Sequence, residues 1–330
     1  MAVLVVGTEI AGSKSWFQIG GIAIQPAEFA KFATALALAK YLSSFNVSLA
    51  RFKVKIIASI IIFLPAALVL LQNDTGSALV YVIFIFVLFR EGLTGNILLI
   101  GFMMALLFVV TLLVNKLYIL GFLLLMAIIV FYFMRRNQKN ILVLATMLIM
   151  ASGFVFTVDY AFENILEPHQ KKRINVLLGK ELDLRGAGYN VHQSKIAIGS
   201  GGIAGKGFLK GTQTKYDFVP EQDTDFIFCT IGEEWGYIGS LGLIILFMAL
   251  LFRLLKLAER QRSDFSRIYG YAVASIIFFH FAINIGMTIG LVPVIGIPLP
   301  FISYGGSSLW AFTILLFIFI KQDANRLQLL

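Results

Sequence analysis

The sequence predicts an all-α fold, a polytopic transmembrane helical bundle of about nine spans with an N-terminal remnant in front and one long extracytoplasmic loop. Three observations predict it. Hydrophobic residues make up 59% of the 330 and charged residues only 14%, with a mean hydropathy of +0.88, beyond what a soluble domain of this length carries. Apolar runs recur at 27–43, 54–72, 76–90, 96–114, 117–134, 140–158, 224–252, 268–290 and 303–320. Most are close to the ~20 residues that cross a bilayer as a helix. The runs are continuous and do not alternate, which excludes a β-barrel. Lys and Arg also sort into alternate loops, as they do in a chain that crosses and recrosses a membrane.

The N-terminal stretch Met1–Ile10 is apolar but far too short to span. Ten residues give ~15 Å of helix against a ~30 Å hydrocarbon core. It has no basic segment and no small-residue cleavage site, so it is not read as a secretory signal but as the tail of a helix that begins upstream. Residues 11–26 follow as an outer loop. Pro26 suits the first turn of the next helix and puts Glu28 and Lys31, three apart, on one face. Asp74 lies with Gly76 in a turn between spans, where Asp is a common turn residue. The single Cys229 lies inside a span and excludes a disulfide framework.

Lys40, Arg51, Lys53, Lys55, Arg90, Arg135, Arg136, Lys139, Arg253, Lys256, Arg260, Arg262, Arg267, Lys321 and Arg326 fall in one alternating set of loops, which the positive-inside rule makes cytoplasmic. The other set is outside, including the large loop 159–223 and the segment Leu291–Ser303. The large loop nevertheless carries Lys171, Lys172, Arg173, Lys180, Arg185, Lys195, Lys206, Lys210 and Lys215. Loops of this length escape the topology rule, and their charge reads either as a headgroup-facing surface or as a site for an anionic phosphate or pyrophosphate ligand. The glycines around 186–188 and 199–207 permit close backbone approach, but no P-loop pattern is present.

The stretch that organises the chain is 216–239, where this polar loop re-enters an apolar helix. Glu221, Asp223 and Asp225 sit within five residues of the crossing. Helix capping accounts for any one of them, whereas three together beside a basic loop point to chemistry. Glu233 and Glu234 follow inside the apolar run, where acids are costly and face a bundle interior or a wet cavity. His280 and Asn284, at i and i+4 in a later span, read as interhelical hydrogen bonders. The stretch 291–308 is too rich in Pro and Gly for a helix, and such backbone must be buried in protein or line a cavity. No His/Cys cluster has zinc spacing, and Ser-His-Asp catalysis has no support.

The stretches GSKSWFQIGGIAIQPAEFAKF, QNDTGSALVY, GAGYNVHQSKIAIGSGGIAGKGFLKGTQT, VPEQDTDFIFCTIGEEWGYIG and HFAINIGMTIGLVPVIGIPLPFISYGGSS, in this order, resemble the SEDS family (shape, elongation, division and sporulation), and its RodA branch more than its FtsW branch. The resemblance covers the chain from about residue 12 to the end except 95–158, so residues 1–330 read as a single SEDS-like membrane domain. Residues 95–158 hold three apolar runs where the family has one, an atypical extra helix pair. The family's Pro-Glu-x-His-Thr-Asp is Pro-Glu-Gln-Asp-Thr-Asp here, with Asp223 in place of the His, and its Gln-Pro-Asp is Gln-Asn-Asp at 72–74.

The resemblance implies a peptidoglycan glycosyltransferase that polymerises the lipid-linked disaccharide precursor, lipid II, at the outer face of the bacterial cytoplasmic membrane during cell elongation. It makes Asp225 the expected catalytic residue. Together with the polar clusters it gives an expected substrate-binding set of Glu28, Lys31, Asp74, Arg173, Gln193, Lys195, Lys206, Glu221, Asp223, Ser303, Gly305 and Gly306. Arg173, Lys195 and Lys206 are the residues expected at pyrophosphate. No cofactor is required by the sequence, and a divalent cation (Mg or Mn) held by acids including Asp74 stays open. The expected partner is a class B penicillin-binding protein, and no nucleic-acid partner is expected. A flippase or transporter of lipid-linked precursor, or a non-catalytic scaffold for cell-wall enzymes, are the alternative classes. A transporter should place ionisable groups at mid-membrane in symmetry-related broken helices, whereas most here cluster on one side.

Overall fold

The computed structural model describes residues 2–10, 13–19, 22–135, 137–164, 166, 171–172, 174–175, 178, 187–216 and 218–327. The chain divides into two compact units, one formed by Met1–Leu93 with Asp183–Leu330 and the other by Thr94–Leu182. Each of the nine apolar runs is helical. Among the described residues, seven helices are long and apolar enough to cross a membrane, so this is a multi-pass membrane protein.

In the first unit, Ala2–Val6 forms one short helix, α1. Thr8–Ile10 (β1), Ser13–Ile19 (β2) and Ile22–Ile24 (β3) then make an antiparallel meander in the order β1-β2-β3. Thr8 pairs with Trp16, and Phe17 with Ile24. Ser13–Ile19 and Ile22–Ile24, within the expected outer loop 11–26, therefore form strands. The alternation of Lys14, Trp16 and Gln18 with Ser15 and Phe17 is the reason: Ser15 is buried while Lys14 and Gln18 are exposed. The Ser13 hydroxyl donates to the Gln72 carbonyl at 2.9 Å and tethers the meander to the turn at residues 71–74.

Pro26 opens α2 (Pro26–Leu42) as its missing N–H and fixed φ predict. Ala27, Ala35 and Ala39 are buried and let neighbouring helices approach that face of α2 closely. Helix α3 is Phe52–Leu70. The next run is broken in three: α4 (Thr75–Leu79), a 3₁₀ turn at Val80–Ile83, and α5 (Phe84–Arg90). Asp74 caps α4, its Oδ1 accepting from the Ser77 N–H at 2.9 Å.

The second unit holds α6 (Gly95–Leu113), α7 (Lys116–Phe133) and α8 (Gln138–Asn164), which pack on one another. Lys116 and Asp159 pair across α7 and α8 at 2.8 Å. Most of their large apolar side chains face outwards, Leu99, Phe102, Phe122 and Phe133 among them, as expected of helices whose solvent is lipid.

The first unit resumes with α9 (Ala187–Ser200) and the short α10 (Thr212–Lys215), followed by α11 (Ile227–Glu259), α12 (Asp264–Thr288) and α13 (Gly306–Ala324). Helix α12 is the axis of this unit: it packs against α2, α5, α11 and α13 and buries Ile268, Tyr269, Ala272, Val273, Ile276 and Ile277 completely. At one end, ion pairs join Arg90 to Glu259 at 2.9 Å and Arg267 to Glu91 at 3.0 Å, and Arg260 to Asp323. All three cations belong to the set expected on the cytoplasmic side.

Helix α11 is broken at Gly236, whose φ of 64° and ψ of −157° leave the helix. The break frees backbone groups that a bilayer cannot satisfy, and the glycine-rich loop supplies the partners. Lys206 N donates to Glu233 O at 3.0 Å and Gly207 N to Glu234 O at 2.9 Å, while Tyr237 N and Ile238 N donate to Gly202 O and Ile203 O at 2.9 and 3.1 Å. The approach is so close that a Cβ on Gly205 would collide with the Glu234 carbonyl.

Candidate active site

At the end of the bundle opposite the ion pairs just described, residues 221–226 cross from the loop into α11. Glu221 adopts φ 59°, and its carbonyl accepts from the N–H groups of Thr224 and Phe226 at 3.2 and 3.0 Å. Its carboxylate accepts from the Thr224 hydroxyl at 2.9 Å, so Glu221 shapes the turn. The carbonyls of Asp223, Thr224 and Asp225 are each claimed by chain from beyond α11. Tyr304 N donates to Asp223 O at 2.8 Å, Ser303 Oγ to Thr224 O at 2.5 Å, and Asn284 Nδ2 to Asp225 O at 2.8 Å. Ser303 Oγ also accepts from Leu299 N at 2.8 Å. The backbone that carries Asp223 and Asp225 is thereby strapped down.

The side chains then separate by environment. Asp225 is half-buried, with Oδ2 beside Gly296, where a Cβ would lie 3.2 Å from that oxygen. Gly296, with φ 78°, belongs to the non-helical segment between α12 and α13, which is ordered against the protein as its composition requires. Asp223 is exposed and lines an open hollow of about 340 Å³ with Ile227, Ile302 and Tyr304. Tyr304 was not singled out by the sequence. An aromatic in a Pro- and Gly-rich stretch was its only signal, and nothing in the sequence puts it beside Asp223.

Helix α9 borders this region. Its Ser194 donates to Thr288 O at 2.9 Å, and Lys195 runs along Gly290, where a Cβ would come within 2.5 Å of Cε and Nζ. Gln193 is half-buried on the same helix. Gly305 and Gly306 lead into α13, and the Gly305 carbonyl accepts from Ser308 Oγ at 2.9 Å.

The remaining expected residues are placed elsewhere. Glu28 and Lys31 lie inside the bundle, each 3% exposed and paired at 2.7 Å. Lys31 also meets His280 Nε2 at 3.0 Å and sits 5.4 Å from the centre of the Phe312 ring. Asp74 accepts from Gln25 Nε2 at 2.8 Å through the oxygen that does not cap α4, and Gln25 N donates to Ser307 Oγ at 3.1 Å. Lys206 is bound to Glu233 Oε1 at 2.6 Å and to Thr212 Oγ1 at 2.7 Å, a clamp on the loop. Arg173 lies outside the described residues. Among the described residues, no three His, Cys, Asp or Glu side chains gather as a set that could hold a metal ion.

The fold and this end of it define a class: a polytopic helical membrane protein with a strapped acidic crossing beside a basic, glycine-rich loop. The model of the FtsW/RodA/SpoVE family, described as cell cycle protein, matches residues 1–123 and 99–327. The chain belongs to this family. The two matches overlap at 99–123, inside the region where the sequence holds an extra helix pair. The chain is 35% identical over 310 residues to the peptidoglycan glycosyltransferase MrdB of Escherichia coli K12, covering 94% of this chain and 70% of that one. It is likewise 35% identical to the peptidoglycan glycosyltransferase RodA of Treponema pallidum, covering 97% and 79%. Among solved structures, it superposes with a TM-score of 0.70 and 29% identity on a chain from a peptidoglycan synthase complex that coordinates polymerization and crosslinking, over 99% of this chain and 77% of that one. The Thermus thermophilus rod shape determining protein RodA gives 0.60 and 26%, over 99% and 74%.

Proposed function

We propose that this protein is a peptidoglycan glycosyltransferase of the RodA kind that polymerises lipid II at the outer face of the bacterial cytoplasmic membrane, in cell elongation. The observation that carries the reading is the strapped crossing at 223–225, which fixes the backbone of Asp225 while leaving its carboxylate at the edge of the irregular segment. Joining two sugars requires an acceptor hydroxyl to attack the donor's anomeric carbon as the bond to the lipid pyrophosphate breaks. Asp225 takes the hydroxyl proton, the new glycosidic C–O bond forms, and the pyrophosphate leaves with the electron pair of the broken bond. Cations offset the charge on that leaving group. Lys195, on α9 beside the segment between α12 and α13, is the described cation best suited to this task. Asp223, at the open hollow with Tyr304, is a contact for the incoming saccharide.

The partner supported by the complex among the structural relatives is a transpeptidase that crosslinks the strands, a class B penicillin-binding protein. The test of the reaction is lipid II polymerisation by purified protein. Asp225→Asn keeps the size of the side chain and removes the base, and the rate should fall roughly 10²- to 10⁴-fold with the protein still folded and inserted. Near-normal polymerisation by that variant would overturn the base assignment. A comparable loss in Asp223→Asn would make the two acids a functional pair.

A further inference from the structure

Two side chains of α12 hold the irregular segment against Asp225 and take no other part in the site. Asn284 is fully buried, and its Nδ2 donates both to Asp225 O at 2.8 Å and to Ile297 O at 2.7 Å. Both partners are carbonyls, which fixes the amide orientation, since only the NH₂ can serve two acceptors. One turn earlier on the same face, His280 is 1% exposed and bonds Pro298 O through Nδ1 at 3.1 Å. Its Nε2 faces Lys31 Nζ at 3.0 Å, and that ammonium is held by Glu28 Oε1 at 2.7 Å. An ammonium has only donors, so Nε2 accepts and Nδ1 carries the proton given to Pro298 O. Consecutive carbonyls of the segment, 297 and 298, are thus pinned from one helix face, and the residue just before them, Gly296, is the one that lies against the Asp225 carboxylate.

We propose that His280 and Asn284 are positioning residues for Asp225: Asn284 ties its carbonyl to the segment, and the Glu28–Lys31–His280 chain sets where that segment lies against its carboxylate. The proposal rests on Asp225 being the catalytic base. It reassigns the buried Glu28–Lys31 pair from touching substrate to orienting His280. Its energetic logic is that a misplacement of about 1 Å at a reacting group costs on the order of 10²-fold in rate.

Two replacements separate the bonds His280 makes. His280→Asn keeps a donor near the Nδ1 position for Pro298 O and gives up Lys31, whereas His280→Gln keeps an acceptor near the Nε2 position for Lys31 and gives up Pro298 O. Initial rates of lipid II polymerisation give kcat and KM for each, alone and combined with Asp225→Asn, with the thermal midpoint measured in the same detergent. His280→Gln is expected to lose roughly 10- to 100-fold in kcat with KM within about threefold, while the conservative His280→Asn recovers most of that loss. In the Asp225→Asn background, His280→Gln should cost nothing further, because both act on one group. Unchanged kcat in His280→Gln overturns the proposal, as does an equal loss in both variants that follows the amount of folded protein, or an undiminished effect in the Asp225→Asn background. An active Asp225→Asn removes the base assignment itself and this proposal with it; an inactive Asp225→Asn beside a fully active His280→Gln removes the positioning alone.

Discussion

Glu233 is the buried charge on which the loop's structure depends, and Glu233→Gln is the sharpest test of that dependence. The carboxylate is wholly inaccessible, yet it lies in the apolar helix α11 and has two oxygens to satisfy. Oε1 accepts from Lys206 Nζ at 2.6 Å, Thr212 N at 2.8 Å and Gln213 N at 2.9 Å. Oε2 accepts from Thr214 N and Thr214 Oγ1, both at 2.9 Å. The three N–H groups are the orphan donors at the start of α10, so one side chain from a membrane helix caps a loop helix and neutralises a lysine. Gln keeps the shape but turns one acceptor into a donor that faces donors, and it leaves the Lys206 ammonium unpaired. Removing one partner of a buried pair costs about 3–5 kcal/mol. Lys206 is 26% exposed and water recovers part of this, so about 3 kcal/mol is the expected loss. That corresponds to a roughly 150-fold increase in the local opening equilibrium. Hydrogen exchange by mass spectrometry on the detergent-solubilised protein reads it directly, since protection at the amides of Thr212, Gln213, Thr214, Lys206 and Gly207 should fall by about that factor while α12 keeps its own. Unchanged protection across 206–214 would refute the view that Glu233 holds the loop.

Three more outcomes follow from other parts of the chain. Gly236→Ala places a side chain at φ 64° and against Gly205 N, so the kink and its loop contacts should be lost, with a lower thermal midpoint and poor recovery of folded protein; a variant that melts like the parent would contradict the account of the kink. A cysteine at Lys210 should react with a membrane-impermeant maleimide in intact cells and one at Arg260 should not, against a low background from buried Cys229; the reverse pattern would invert the orientation. Arg173→Lys preserves charge but not the planar fork suited to pyrophosphate, and should raise KM for lipid II several-fold, whereas unchanged kinetics would leave only diffuse electrostatics at that position.

What the sequence made legible is what a bilayer dictates. All nine apolar runs became helical, one of them broken in three at 75–90 and two extending past their expected ends, to Asn164 and Glu259, because ~20 residues of hydrocarbon-compatible side chain admit little else. Pro26 marked a helix start through local chemistry that needs no tertiary partner, whereas Asp74, expected as a turn residue, proves to cap a short helix. The break at Gly236 left no such mark. Glu233-Glu234-Trp235-Gly236 reads as uninterrupted helix, and a glycine there is compatible with either reading until the loop at 202–207 arrives to pair with the freed groups. The same holds for Glu233, recognisable as a costly acid but not as the partner of Lys206, which comes from a different element.

The acids at 221–225 were visible as a cluster, yet the strap that makes them a site comes from Asn284, Ser303 and Tyr304, 59 and more residues further on. The reason is common to all of these cases. Inside a membrane each departure from helix releases backbone donors and acceptors that lipid cannot satisfy, so each must be matched by another stretch of protein. A sequence displays the departures, as glycines, prolines and misplaced charges, but not which of them match. The matching is what brings Asp225, the segment beyond α12 and the basic loop to one end of the bundle, and a change that breaks one match should therefore disturb the site without touching any residue that meets the substrate.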